Sequence, residues 1–84
     1  MKLHVLKIER NYYEEFISER KKAEFRLDDR DYSVGDLIHF TDTNGKEYEG
    51  FFNLFFITHI LPCRNIIQEK TDYVVLSIAP YSKI

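Results

Sequence analysis

Between Lys22 and Asp28 the side chains alternate strictly: Lys22, Glu24, Arg26 and Asp28 are charged, while Ala23, Phe25 and Leu27 are apolar. A period of two belongs to a strand with one face buried, because a helix would scatter both sets around its circumference. This reading sends Phe25 into a core. It leaves an ammonium, a carboxylate, a guanidinium and a carboxylate in a row on the opposite face. Arg20 and Lys21 precede the strand, and Asp29, Arg30, Asp31 and Asp36 follow it. Taken alone, such a row is an ordinary solvated face whose ion pairs contribute little.

The flanking segments supply the rest of an α+β domain. Lys2 to Ile8 reads as a first strand, with His4 and Lys7 as its unusual members. Asn11 opens a helix, and Glu14 three positions later completes a capping-box-like pair. Tyr13, Phe16 and Ile17 recur at helical spacing as a buried stripe. Gly35 turns the chain between Tyr32 and Asp36, and Leu37, Ile38 and Phe40 form the next strand. Asn44-Gly45 is a tight-hairpin signal, after which Tyr48 begins a return strand with a bulge at Gly50. Phe51 to Ile57 is apolar on both faces, as in a small barrel with a helix laid against it. Pro62 to Thr71 is a loop, and Tyr73 to Ala79 is the last strand, ended by Pro80. The expected core contains Leu6 or Ile8, Phe16, Ile17, Phe25, Leu37, Leu54, Phe56, Val75 and Ile78.

Eighty-four residues suffice for one domain, residues 1–84, with a thin stability margin. The single Cys63 has no internal partner for a disulfide. The longest apolar stretch, Phe51 to Leu61, is interrupted by Asn53, Thr58 and His59, so no membrane span is expected. A cytoplasmic protein is the expectation. The net charge of −2 argues against a domain that grips nucleic acid mainly through phosphates. A short single strand or one nucleotide in a pocket remains compatible with it, since local charge differs from net charge.

Three spaced runs carry a family resemblance. They are His4-Val5-Leu6-Lys7-Ile8, the helix exit Glu19 to Arg26 with Asp28 to Asp36 after it, and the closing strand Tyr73 to Ile78. In this order they resemble the PUA-like superfamily, and within it the activating signal cointegrator homology (ASCH) domains. The nearest likeness is to a small, uncharacterised bacterial and phage branch. The resemblance implies a PUA-like β-pseudobarrel with one N-terminal helix packed on the sheet. It also implies a cleft bordered by the charged run together with His4 and Lys7. The family often ends its helix with Gly where Glu19 stands here, so this exit turn is made differently.

Some ASCH-type proteins are amidohydrolases that remove acyl groups from acylated cytidine. They resemble this chain in the helix-exit lysine, Lys21, which they pair with a threonine three residues on and a glutamate from a later strand. Here Glu24 stands at the threonine position, and Tyr73-Val74-Val75 carries no glutamate; only Glu69 lies nearby. A carboxylate beside the ammonium stabilises its charged form, whereas a lysine acting as base or nucleophile needs the opposite. Lys21 and Glu24 would be the catalytic pair if the chain were an enzyme, and no catalytic residue is otherwise assigned.

The binding reading fits the residue types better. His4, Lys7, Lys21, Arg26 and Arg30 offer cationic donors to phosphate, and Glu24 and Asp29 offer acceptors to base amino groups. Tyr12, Tyr32 or Tyr48 would stack on a base. The expected partner is RNA or a nucleotide-like ligand, bound by a monomer or weak homodimer. The rivals are a small amidohydrolase acting on a modified nucleoside and a protein-interaction module. No cofactor is expected, since Gly35, Gly45 and Gly50 are scattered turn residues rather than a phosphate loop. No metal site is expected either: His59 and Cys63 are four apart, but no second pair joins them.

Overall fold

The computed structural model describes residues 1–49, 53–65 and 72–81. Within them lie strand β1 (Leu3–Lys7), helix α1 (Arg10–Ile17), and strands β2 (Ala23–Leu27), β3 (Leu37–Thr41), β4 (Phe55–Pro62) and β5 (Tyr73–Pro80). A 3-10 turn, Cys63–Asn65, follows β4. The expected bulge at Gly50, the strand residues Phe51 and Phe52, and Glu69 fall outside the described residues.

The five strands make one sheet in the order β1-β3-β4-β5-β2, with β1 parallel to β3 and the remaining pairs antiparallel. The register of β4 on β5 shifts between Ile57 and His59, an irregularity that bends the strand. The sheet curls into a half-barrel, so that its two edge strands approach each other. Arg26 of β2 donates from Nη2 to the carbonyl oxygen of Lys7 on β1 at 2.5 Å. The architecture is thus α+β, with one helix and a curled five-stranded sheet, and is compatible with a pseudobarrel.

Strand parity decides what the curled sheet encloses. His4, Leu6 and Ile8 point inward from the first strand and its exit, Ile38 and Phe40 from β3, Phe55 and Ile57 from β4, and Val74, Leu76 and Ile78 from β5. Tyr13 and Phe16 of α1 close the core. Phe16 stacks on Phe40 at 5.0 Å, and Phe55 joins both rings at 5.8 and 5.4 Å. Four expected core residues are misplaced by one position: Leu37, Leu54, Phe56 and Val75 are only half-buried. Phe25 is 53% exposed and is no core residue. Alternation reveals that one face is buried but not which one, and a one-residue slip exchanges the faces. In β4, apolar at nearly every position, the pattern offers no choice between Phe55 and Phe56.

The helix also begins differently. Its N-cap is Glu9, in extended conformation and with no side-chain cap bond, so the Asn11–Glu14 box does not form. Its C-terminus is a left-handed exit. Glu19 has a φ of 62°, its N–H donates to Phe16 O at 3.0 Å, and Arg20 N–H donates to Glu15 O at 2.9 Å. These two bonds satisfy the last carbonyls in the Schellman pattern, whose left-handed position favours glycine. Glu19→Gly is therefore expected to raise stability by roughly 0.5 to 1 kcal/mol, because a Cβ is unfavourable at that angle. A small rise in the urea midpoint, with an unchanged denaturant slope, is the measurement.

The Asn44-Gly45 turn forms, with Gly45 at a φ of 82° and Asp42 N–H bonded to Lys46 O at 2.9 Å. Among the described residues the ladder beyond it is a single bridge, Thr41 to Glu47, and Tyr48 itself is not in a strand. Tyr48 instead lies flat on Tyr13 at 4.0 Å, and its hydroxyl donates to Ile8 O at 2.8 Å. His39 pins the same segment, bridging the Asn53 carbonyl at 2.8 Å and the Glu47 carboxylate at 2.5 Å.

Candidate functional site

The charged row of β2 faces the opposite way from the sequence expectation. Glu24 lies opposite Leu76, and Arg26 opposite Val74, in the β2–β5 ladder. Directly opposed residues share a face, so Glu24 and Arg26 point to the inner side with those core residues. Ala23, Phe25 and Leu27 point outward, where Phe25 stacks on Tyr73 at 4.8 Å. An edge strand tolerates this because its inner face looks into the opening of the half-barrel. Inward charges on an edge also discourage pairing with another chain.

The inward side chains form one network. Glu24 Oε2 accepts from Arg26 Nε at 2.9 Å, and Glu24 Oε1 lies 3.6 Å from Lys21 Nζ. Lys21 Nζ donates to Ala23 O at 2.8 Å and sits over the rings of Tyr12 and Phe16 at 5.6 and 5.3 Å. Only 13% of the Glu24 side chain is exposed, against 28% for Lys21 and 23% for Arg26. Partial burial strengthens these contacts relative to a surface pair. Glu24, Arg26, Lys7, Tyr12 and Thr43 line a depression of about 340 Å³ between the two edge strands.

The structure therefore brings together Lys7, Lys21, Glu24 and Arg26. It does not bring the other expected residues there. His4 is 5% exposed, and its Nε2 is 2.8 Å from Asp36 Oδ2. The His4 ring also packs against Tyr32 at 4.7 Å. Asp29 and Arg30 are exposed, 3.9 Å apart, and line no part of the depression. Tyr32, expected as a stacking candidate, is 9% exposed. Thr43 and Glu9 line the depression without any sequence signal having marked them, since both come from turns whose placement is tertiary.

Asp36 gives the run that ends in it a structural role that needs no ligand. It accepts the N–H groups of Lys2 and Ser33, both at 3.0 Å, as well as the His4 contact. Burial alone would raise its carboxyl; the Lys2 N–H, His4 and the Ser33 N–H outweigh burial and hold it down to about 2. The carboxylate joins the start of β1 to the turn before β3 and so sets the parallel pair. Burial also pushes the Tyr13 and Tyr32 hydroxyls up, and among the described residues neither has a hydrogen-bond partner. Among the described residues no three His, Cys, Asp or Glu side chains cluster as metal ligands, and no helix is long and apolar enough to cross a membrane.

Fold and cleft define a small α+β half-barrel with a mixed-charge opening between its edge strands. The chain belongs to a family described as "Domain of unknown function (DUF3850)", which it matches over residues 3–78. No curated protein matches it. Among solved structures it is similar to the crystal structure of hypothetical protein PH0355, with a TM-score of 0.64 at 20% identity. That match covers 96% of this chain and 100% of the other, and it supports the fold alone.

Proposed function

We propose that this protein is a PUA-like, ASCH-type domain that binds single-stranded RNA or a nucleotide-like ligand in the β1–β2 cleft. The observation that carries the reading is the inward turn of Glu24 and Arg26 beside Lys21 and Tyr12. A plain solvated strand would put its charges outside and its apolar row inside; here the Arg26 guanidinium and the Glu24 carboxylate line a depression together with Lys7 and Tyr12. Such a set matches phosphate with its cations, a base amino group with its carboxylate, and a base face with Tyr12. Carboxylates in the cleft and the net charge of −2 keep the number of phosphate contacts low.

The amidohydrolase reading has less support. Lys21 Nζ is already bonded to Ala23 O and close to Glu24, and β5 brings Val74 opposite Arg26.

Titrating a labelled RNA oligonucleotide pool tests the proposal. Binding is expected to be modest, with a shallow salt slope of about one to three phosphates. Lys21→Ala should weaken binding and reduce the slope by about one. Arg26→Ala is a poor probe, because that side chain also ties β2 to Lys7 O. Arg26→Lys keeps the charge and loses the fork, and is expected to weaken binding by roughly 1 to 3 kcal/mol. No saturable binding at low salt, or wild-type affinity in both variants, would overturn the reading.

A further inference from the structure

The depression at Glu24 and Arg26 does not end at Tyr12. Glu9 and Thr43 line it, and they also line a second depression of about 420 Å³ whose far wall is Arg10, Asp42 and Tyr48. The two therefore adjoin along Glu9 and Thr43, beside the start of α1. Each compartment falls within the roughly 300 to 1,000 Å³ of small-molecule sites. Each also holds an aromatic ring that has a cation beside it: Lys21, outside the first depression's own lining, lies 5.6 Å from the Tyr12 ring, and the Arg10 guanidinium, in the second lining, lies 5.9 Å from the Tyr48 ring. The Tyr48 ring is held in place from beneath by Tyr13 and at its hydroxyl by Ile8 O.

We infer that the Arg10–Tyr48 compartment is a second nucleotide subsite, so that the ligand is a single strand of RNA rather than a lone nucleotide. This inference rests on the nucleotide-binding reading of the first compartment. The repeated pairing of ring and cation suits a repeating ligand, in which each base meets a π-face and each phosphate a cation. Glu9, shared by both depressions, and Asp42 of the second repel phosphate and accept hydrogen bonds from amino groups. The strand therefore turns amino-bearing bases toward these two carboxylates and its phosphates toward Arg10 and Lys21. Arg10 is accessible, since its side chain is 76% exposed and its ion pair with Glu14 at 3.3 Å is a surface pair of little strength.

The test compares cytidine monophosphate with tetracytidylate on the intact protein and on Arg10→Ala. Tetracytidylate is expected to bind wild type about tenfold more tightly than the monophosphate, the gain that one further stacked base supplies. Arg10→Ala should lose most of that gain and leave the monophosphate affinity unchanged. Arg10→Lys should retain part of it. Equal affinity for the two ligands would overturn the second subsite while leaving the first intact. A length gain that survives Arg10→Ala would also overturn it, since the strand would then leave by another route. If neither ligand binds, the nucleotide reading and this inference fall together.

Discussion

Phe55→Ala is expected to destabilise the protein by roughly 3 to 5 kcal/mol, and Phe56→Ala by no more than about half of that. Phe55 is 2% exposed and contacts both Phe16 and Phe40, whereas Phe56 is half-buried on the outer side of the sheet, opposite Leu37 and Ala79. For a domain of 84 residues, total stability is on the order of 4 to 12 kcal/mol. The first substitution thus takes the protein close to its unfolding threshold, and the second does not. Urea unfolding followed by circular dichroism reads the difference directly. Equal losses at the two positions would show that β4 is threaded in the other register, and with it the assignment of every inward residue of that strand would fall.

Removing the buried carboxylate should have an effect of similar size. Asp36→Asn leaves the Lys2 and Ser33 N–H groups and His4 without a full set of acceptors, and is expected to cost roughly 3 to 5 kcal/mol at neutral pH. The acid limb gives a second reading. The Asp36 carboxyl lies at about 2 in the folded protein against an ordinary value of 3.8, so the unfolded chain takes up its proton first as pH falls. The associated stability, about 2 kcal/mol, is complete above roughly pH 5 and disappears as pH falls toward 2. The Asn variant should lack that step. Wild-type stability of Asp36→Asn at neutral pH, or an unchanged acid limb, would mean that the carboxylate does not join β1 to the turn before β3.

The same residue shows why the candidate site was only partly legible. Asp28 to Asp36 stands out as a run of charge, and its resemblance to a family motif drew the whole run into a binding cleft. In the folded protein the run divides. Asp36 turns inward as an anchor for His4, Asp29 and Arg30 stay at the surface, and the lining of the cleft ends at Leu27, before the run begins. His4 is withdrawn from the cleft by the same bond. Nothing in the spacing distinguishes a histidine that lines a cleft from one that is buried against a carboxylate 32 residues later, because the contact depends on the parallel β1–β3 pairing.

By itself the sequence determined the kinds of element and their order. The alternation of Ala23, Phe25 and Leu27 with charge required a strand, the spacing of Tyr13 and Phe16 required a helix with one buried stripe, and Asn44-Gly45 and Gly35 required turns. These are local properties of the backbone and its side-chain period. Which face of each strand is buried was decided only in three dimensions. Val74 and Leu76 take the interior, so pairing forces Glu24 and Arg26 to the same side as their neighbours, and the curl of the sheet turns that side of β2 into an opening rather than a core. A period of two carries no sign; the sign comes from the strand next door, and the cleft exists because an edge strand was given charge where its neighbour has hydrocarbon.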